Sequence, residues 1–268
     1  MKITIKDKDN KDIGKQDLPV QFEEPLRIDL IRRSVLAIEN NSRDRYGSDP
    51  KAGQKHSAEL SRRRRKYRGS YGHGISRVPR KILSRRGTRF NWVGAQAPGT
   101  VGGRRAHPPK SEKIWSQKIN KKENQKAIRS ALSATLDTST VTLRGHKAPK
   151  DYPFIIDNSF ESIMTTKDLV TTLEKLGLKD ELKRSSEKTI RAGKGKMRGR
   201  KYKKKKGPLL VVSDACELIK AAQNVPGIDI VTINMVNTKL LAPGAQAGRL
   251  TLYSQKAIEK IKKDNLFI

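Results

Sequence analysis

The sequence is poor in the residues that form disulfides, zinc modules and large apolar cores. One cysteine, Cys216, is present among 268 residues, which excludes an internal disulfide or a cysteine-rich zinc module. Only 34% of the residues are hydrophobic, and no apolar run approaches the ~18 residues of a membrane span. Residues 1–6 (MKITIK) do not have the apolar core of a signal peptide. We therefore expect a soluble, cytoplasmic protein in a reducing setting, without a membrane partner.

Acidic residues are scarce relative to basic ones, with 27 Asp and Glu against 59 Lys and Arg and a net charge of +32. Like charges at this density repel one another in a compact fold, so a polyanionic partner is the simplest explanation. The excess is concentrated in two segments. Residues 43–110 contain 19 basic and 3 acidic residues, and residues 191–207 contain 10 basic residues and no acidic one.

The longer basic segment has too few apolar side chains to fold alone. Residues 43–110 hold only seven Leu, Ile, Val or Met but ten of the 20 glycines and five of the 12 prolines. Ordering a backbone costs roughly 1–2 kcal/mol per residue, and little burial is available here to offset that cost. The composition predicts a long extended loop without regular secondary structure that becomes ordered on RNA.

Arginine, aromatic and glycine residues are interleaved in both basic segments. Arginine forks match phosphate geometry, and aromatic rings stack on unpaired bases. The predicted RNA-binding residues are Arg62, Arg63, Arg64, Arg65, Lys66, Tyr67, Arg68, Tyr71, His73, Arg77, Arg80, Lys81, Arg85, Arg86, Arg89, Trp92, Arg104, Arg105, Lys194, Lys196, Arg198, Arg200 and Lys201. A solvated linker or a localisation signal is the alternative for a basic run; the length and the aromatic content favour RNA.

Outside the basic segments, strand-like and helix-like patterns alternate. Residues 2–6 alternate polar and apolar side chains, which predicts an edge strand. Strand-length apolar runs occupy residues 153–157, 208–213, 228–233 and 249–253, and helical periodicity occupies residues 25–41, 124–136, 166–176, 214–223 and 254–263. This alternation predicts a three-layer α/β/α domain of about four parallel strands, formed by residues 1–42 and 111–268. Residues 43–110 and 191–207 are the basic segments inserted in it.

The sequence contains no recognisable pattern of catalytic or metal-binding residues. The four histidines have no metal-ligand spacing, and Ile190 and Met197 stand where a Walker loop around Gly195-Lys196 requires glycine and Ser or Thr. Asp157 and Asp214 follow sheet strands without a third group, and Asp214 is better interpreted as a helix cap. We predict no catalytic, cofactor-binding or metal-binding residue and no small-molecule substrate.

Two other functions remain as alternatives. An RNA-processing enzyme on the same scaffold would need an acid/base or cofactor site at the carboxyl ends of the strands. A DNA-compacting protein would bind a regular duplex, which a long unstructured loop with stacking aromatics suits less well than irregular RNA.

Several stretches resemble the universal L-four family of large-subunit ribosomal proteins. They are residues 73–80 (HGISRVPR), 102–110 (GGRRAHPPK), 117–124 (QKINKKEN) and 131–134 (ALSA). Residues 192–202 resemble an insertion of the archaeal and eukaryotic branch, and the lack of a long carboxyl-terminal tail is more similar to archaeal members.

The resemblance implies a structural constituent of the large ribosomal subunit that binds its RNA and supports its assembly. Family members have an α/β domain at the outer surface of the subunit and an extended loop whose tip lines the nascent-peptide exit tunnel. Matching positions places the tip at Arg65, Lys66, Tyr67, Arg68 and Gly69. The implied partners are large-subunit ribosomal RNA, neighbouring large-subunit proteins and the nascent peptide.

Overall fold

In a computed structural model that describes residues 1–268, the chain divides into two compact units. We call Met1–Ser42 together with Ser116–Ile268 the body, and Arg43–Trp115 the basic unit. The strands are β1 Lys2–Lys6, β2 Asp12–Asp17, β3 Arg80–Arg86, β4 Arg89–Gly94, β5 Ile155–Ile156, β6 Lys188–Ile190, β7 Tyr202–Lys204, β8 Leu209–Val212, β9 Asp229–Thr232 and β10 Thr251–Ser254. The α-helices are α1 Ile28–Asn41, α2 Lys121–Leu136, α3 Thr138–Leu143, α4 Thr166–Leu173, α5 Lys179–Ser186, α6 Leu218–Gln223, α7 Thr238–Leu241 and α8 Gln255–Lys263.

The body contains one six-stranded sheet in the order β2-β1-β5-β10-β8-β9. The five strands from β1 to β9 in this order are parallel, and β2 is antiparallel to β1. The predicted α/β class with a parallel sheet is confirmed. The prediction that residues 2–6 form an edge strand is wrong, because β2 covers that edge. Its sequence, DIGKQD, is exposed except for the half-buried Gln16, and it carries no apolar alternation that would indicate a strand.

Core side chains cover both faces of this sheet, as a three-layer domain requires. Along β8, Leu209 and Val211 enter one apolar cluster with residues of α1, α2 and α8, whereas Leu210 and Val212 enter a second cluster with residues of α4 and α6. Successive residues of a strand point to opposite faces, so the continuous apolar run of β8 serves both layers. None of the helices has the length and apolar character needed to cross a bilayer.

The fourth predicted helix begins later than its sequence pattern indicates. Residues 213–215 form a bend, and α6 starts at Leu218 with Glu217 at the capping position. The prediction that Asp214 caps this helix is therefore wrong. Its carboxylate instead accepts a hydrogen bond from the Lys260 ammonium of α8, a contact between residues far apart in sequence that a local pattern does not contain.

A buried charge cluster joins α5 to the segment that follows α3. The Glu181 carboxylate accepts hydrogen bonds from His146 Nδ1 at 2.7 Å, Arg184 Nη2 at 2.6 Å and the Lys147 backbone N–H at 2.9 Å. The side chains of His146 and Glu181 are 2% and 0% exposed. Burial acts to raise the pKa of Glu181, but the hydrogen bonds from Arg184 and His146 prevail and lower it to about 2. This carboxylate is therefore ionised in the folded body.

The state of His146 makes the stability of the body dependent on pH. Burial lowers the pKa of His146 below its ordinary value, and this outweighs the opposing effect of Glu181. The unfolded chain then binds a proton that the folded chain does not, so the free energy of unfolding decreases as pH falls through about 6.5, the unfolded pKa. We expect thermal melts to show this loss between pH 7 and pH 5. The loss should be smaller in His146→Gln; equal losses in the two proteins would contradict the assignment.

Candidate nucleic-acid interface

The basic unit has almost no core of its own. Its only buried residues are Gly69, Ser70 and Ala95, and Ala95 is its only buried apolar side chain. The body, by contrast, buries two extended apolar clusters. Because apolar burial is the main term that offsets conformational entropy, the basic unit must take its stability from other interactions.

A β-hairpin occupies Arg80–Gly94, so the prediction that residues 43–110 lack regular secondary structure is wrong for this stretch. Arg86 pairs with Arg89, which leaves Gly87 and Thr88 as a two-residue loop. Gly87 has φ of +57°, a conformation that favours glycine and that such hairpin loops use. The sequence features that indicate a hairpin here are this Gly-Thr pair and the alternation of Phe90 and Trp92 with polar residues after it.

Four aromatic rings pack on one another at this hairpin. Phe90 stacks on Trp92 with centroids 5.2 Å apart, and the edges of Tyr67 and His73 contact Phe90 and Trp92 at 5.2 and 6.5 Å. The Tyr67 hydroxyl also donates to the Gly87 carbonyl at 3.3 Å. These contacts tie residues 67–73 to the hairpin, but none of the four rings is buried.

The run from Arg62 to Arg68 is wound into a tight, outward-facing turn. Arg65 and Arg68 both have positive φ, and the Gly69 N–H donates to the Lys66 carbonyl at 2.9 Å. A Cβ at Gly69 would lie 2.8 Å from that carbonyl oxygen, so only glycine fits without a shift of the backbone. All the residues from 62 to 68 are exposed, whereas Gly69 is buried. The turn therefore directs its cationic side chains into solvent.

The cations of the basic unit are almost entirely unneutralised. Of the 19 basic side chains between residues 43 and 110, only Lys55 has a carboxylate within 4 Å, that of Asp49. Several of the others lie over aromatic rings: Arg77 is 5.0 Å from the Tyr71 centroid, and Arg80 is 5.5 Å from that of Trp92. Such contacts order the guanidinium groups but leave their charge uncompensated.

The residues predicted from sequence fall into two groups by exposure. The exposed group includes every arginine of residues 62–68 and the arginines beside the hairpin loop. Tyr71, Arg80, Lys81 and Trp92 are half-buried. Arg80 donates to Ser70 Oγ at 3.4 Å and to Ser76 Oγ at 3.1 Å, so it also orders the turn. The structure thus brings residues 62–92 together into one surface with exposed cations around an aromatic centre.

The second basic segment belongs to the body and also contains a hairpin. Strands β6 and β7 pair from Lys188 with Lys204 to Ile190 with Tyr202. The predicted residues Lys194, Lys196, Arg198, Arg200 and Lys201 lie at its turn and are exposed without a carboxylate partner within 4 Å. Lys205 and Lys206 at its base pair with Glu187 and Asp229. The paired cations of this segment thus lie next to its base, and those of the turn have no carboxylate partner.

Two aromatic residues of the basic unit were missed by the sequence reasoning. Tyr46 and Trp115 stack with centroids 6.0 Å apart, and Arg43 lies 3.8 Å from the Trp115 centroid. They are 69 positions apart and outside the dense arginine runs. The only signal in the sequence that could have indicated RNA binding by these residues is that each is aromatic and lies near basic residues.

The geometry defines an α/β protein that presents a largely unneutralised cationic surface, and comparison with known proteins specifies the family. Residues 17–264 match the Ribosomal protein L4/L1 family. The chain is 50% identical over 256 residues to the large ribosomal subunit protein uL4 of Nanoarchaeum equitans, with 95% of each chain covered. It is 43% identical over 265 residues to the uL4 protein of Methanocaldococcus jannaschii, covering 98% of this chain and 99% of that one.

A further relative is the uL4 protein of Halobacterium salinarum, 40% identical over 264 residues. The chain belongs to the Ribosomal protein L4/L1 family. This confirms the resemblance found in the sequence, including its archaeal character. The family is one of structural ribosomal proteins and not of enzymes, in agreement with the expectation from the sequence.

Proposed function

We propose that this chain is a structural constituent of the large ribosomal subunit in the cytoplasm, where it binds ribosomal RNA and supports assembly. The observation that carries the proposal is the basic unit: a segment with one buried apolar side chain and 18 unpaired cations between residues 43 and 110. Phosphates crowded between RNA helices would neutralise those cations and release counterions. Neighbouring large-subunit proteins are its expected protein partners.

The proposal assigns different tasks to different parts of the chain. Residues 1–42 and 111–268 form the globular domain, residues 43–110 the main RNA-binding segment, and residues 191–207 a second RNA contact. The RNA contacts are the exposed cations and the aromatic residues predicted from the sequence. Support comes from the exposure of most of these residues and from the lack of a carboxylate partner within 4 Å of any of the cations.

The turn from Arg65 to Gly69 is proposed to face the nascent-peptide exit tunnel. Four of its five residues are exposed, and the buried Gly69 holds the turn in shape. Tyr67, 53% exposed, is the one aromatic residue of this turn. A passing peptide would meet cationic and aromatic side chains here.

Two experiments test the proposal. Tagged protein expressed in an archaeal host should sediment with large subunits through a high-salt sucrose gradient. Recovery of the protein only at the top of the gradient would overturn the ribosomal assignment.

A photoreactive phenylalanine analogue at Tyr67 should crosslink to a stalled nascent chain in those ribosomes. The same analogue at Met197, 74% exposed in the second basic segment, is the control and should not. Equal crosslinking from both positions would overturn the placement of the turn.

A further inference from the structure

An open groove of about 660 Å³ in the basic unit is separate from the aromatic centre at the hairpin. Tyr46 and Trp115 form part of its wall, and Arg105, Lys110 and Lys113 supply its charge. Of these five residues, only Arg105 is among those predicted from the sequence to bind RNA.

The aromatic part of the groove offers a flat stacking surface. The rings of Tyr46 and Trp115 are inclined by 18° with centroids 6.0 Å apart, which is an offset stack. An offset leaves part of each ring face uncovered, and Tyr46 is 55% exposed. Arg43 and Lys113 lie over the Trp115 ring at 3.8 and 4.3 Å, so a further planar group would extend the stack from the exposed Tyr46 ring.

The charge of the groove favours a ligand with phosphate. Arg105, Lys110 and Lys113 have no carboxylate within 4 Å, and Glu112 is the only acidic residue in the wall. Instead of an acid, the Lys113 ammonium lies 4.3 Å from the Trp115 ring centroid. A phosphate is a stronger partner for an ammonium than a ring face is. Binding of a phosphate would therefore draw Lys113 off the indole and uncover more of it for a base.

The indole N–H supplies an independent observation at the same place. Trp115 Nε1 is buried and has no hydrogen-bond partner in the protein. Buried donors are nearly always paired in folded proteins. An unpaired N–H in the wall of a groove therefore indicates that a bound ligand supplies its hydrogen-bond acceptor. Nucleotides are rich in acceptors, and a movement of the ring that follows the departure of Lys113 would let one of them reach this N–H.

We propose that the groove binds one unpaired nucleotide of single-stranded RNA, with its base stacked on Tyr46 and Trp115 and its phosphate held by Lys113, Lys110 and Arg105. This inference rests on the proposed function, since it names one RNA element that the basic unit recognises. The recognition is by stacking, which tolerates any base, rather than by base-edge hydrogen bonds.

Tryptophan fluorescence can observe this site alone. The chain has two tryptophans, so the full-length Trp92→Phe variant reports on Trp115. A five-nucleotide adenine RNA should quench and shift its emission strongly. A five-unit abasic strand with the same phosphates should cause only the smaller change that follows from the displacement of Lys113. Equal quenching by both strands, or by neither, would overturn base stacking. Quenching by a proline-rich peptide but not by the adenine strand would also overturn it and make the groove a protein-docking site.

Affinity for the adenine strand gives the second readout. Trp115→Leu should weaken binding by about tenfold or more, as the loss of base stacking does, and Trp115→Phe should retain most of the affinity. Ile114→Ala is the matched control, because Ile114 is 74% exposed beside the groove but does not line it. If wild-type protein binds a large-subunit RNA fragment with steep salt dependence but Trp115→Leu binds the adenine strand normally, the groove proposal alone fails. If wild-type protein does not bind the fragment, the proposed function fails.

Discussion

Replacing the six basic residues of the run 62–68 with glutamine should flatten the salt dependence of RNA binding. Each lysine or arginine that neutralises a phosphate contributes about 0.7–0.9 to the slope of log K against log salt. Wild-type affinity for a large-subunit RNA fragment should fall by roughly 10³- to 10⁵-fold between 50 and 200 mM salt. The six-fold variant, Arg62, Arg63, Arg64, Arg65, Lys66 and Arg68 to Gln, should lose about 4–5 from the slope. Fluorescence anisotropy across this salt range measures the slopes of the wild-type protein and of the variant.

A variant with the same change in net charge provides the control. Six exposed lysines of the body that lack carboxylate partners within 4 Å are Lys11, Lys15, Lys167, Lys179, Lys256 and Lys263. Their replacement by glutamine should change the slope by less than about 1, because none of these six lysines lies in either basic segment. Equal effects of the two sets would mean that net charge alone determines binding, and the turn at residues 62–68 would lose its special role.

Glu181→Gln should destabilise the body by about 3 kcal/mol, the lower end of the range for removing one partner of a buried ion pair. The substitution leaves the Arg184 guanidinium without its anion, and the Arg184 side chain is only 15% exposed. The remaining bond from Arg184 to the Lys206 carbonyl, at 2.7 Å, does not neutralise the charge. Urea unfolding followed by far-ultraviolet circular dichroism measures the change; fluorescence would not report it, since both tryptophans belong to the basic unit.

Glu187→Gln is the matched control for that measurement. Glu187 follows α5 and pairs with Lys205 at 2.7 Å, but the two side chains are 55% and 46% exposed. Exposed pairs are screened by water and contribute little to stability, so this variant should unfold at nearly the wild-type urea concentration. A loss as large as that of Glu181→Gln would show that burial is not what makes Glu181 important.

The parts of the fold that the sequence predicted are those in which neighbouring residues carry the information. The apolar run of β8 and the helical periodicity of α2 are local patterns, and both elements were found within a few residues of their bounds. Strand β2 and the hairpin of β3 and β4 were not predicted. Their polar, charged composition is typical of loops, and only pairing with a partner makes them strands.

Contacts between distant charged residues were the least predictable. Arg249 begins an apolar run, yet its side chain is fully buried and pairs with Asp229 at 2.6 Å. His146 and Glu181 are 35 positions apart. Arginine and glutamate are mostly exposed in proteins unless paired, so no local pattern indicates that these side chains are buried. The candidate interface is easier to predict from the sequence, because a dense run of basic residues such as 62–68 remains exposed in almost any fold.

Amide hydrogen exchange over residues 43–110 tests the central claim most directly. If RNA supplies the order that a core would supply elsewhere, amides of this segment should exchange far faster than those of α2 and β8 in the free protein. They should become protected when a large-subunit RNA fragment is added. Protection of residues 43–110 to the level of the body without RNA would contradict the account.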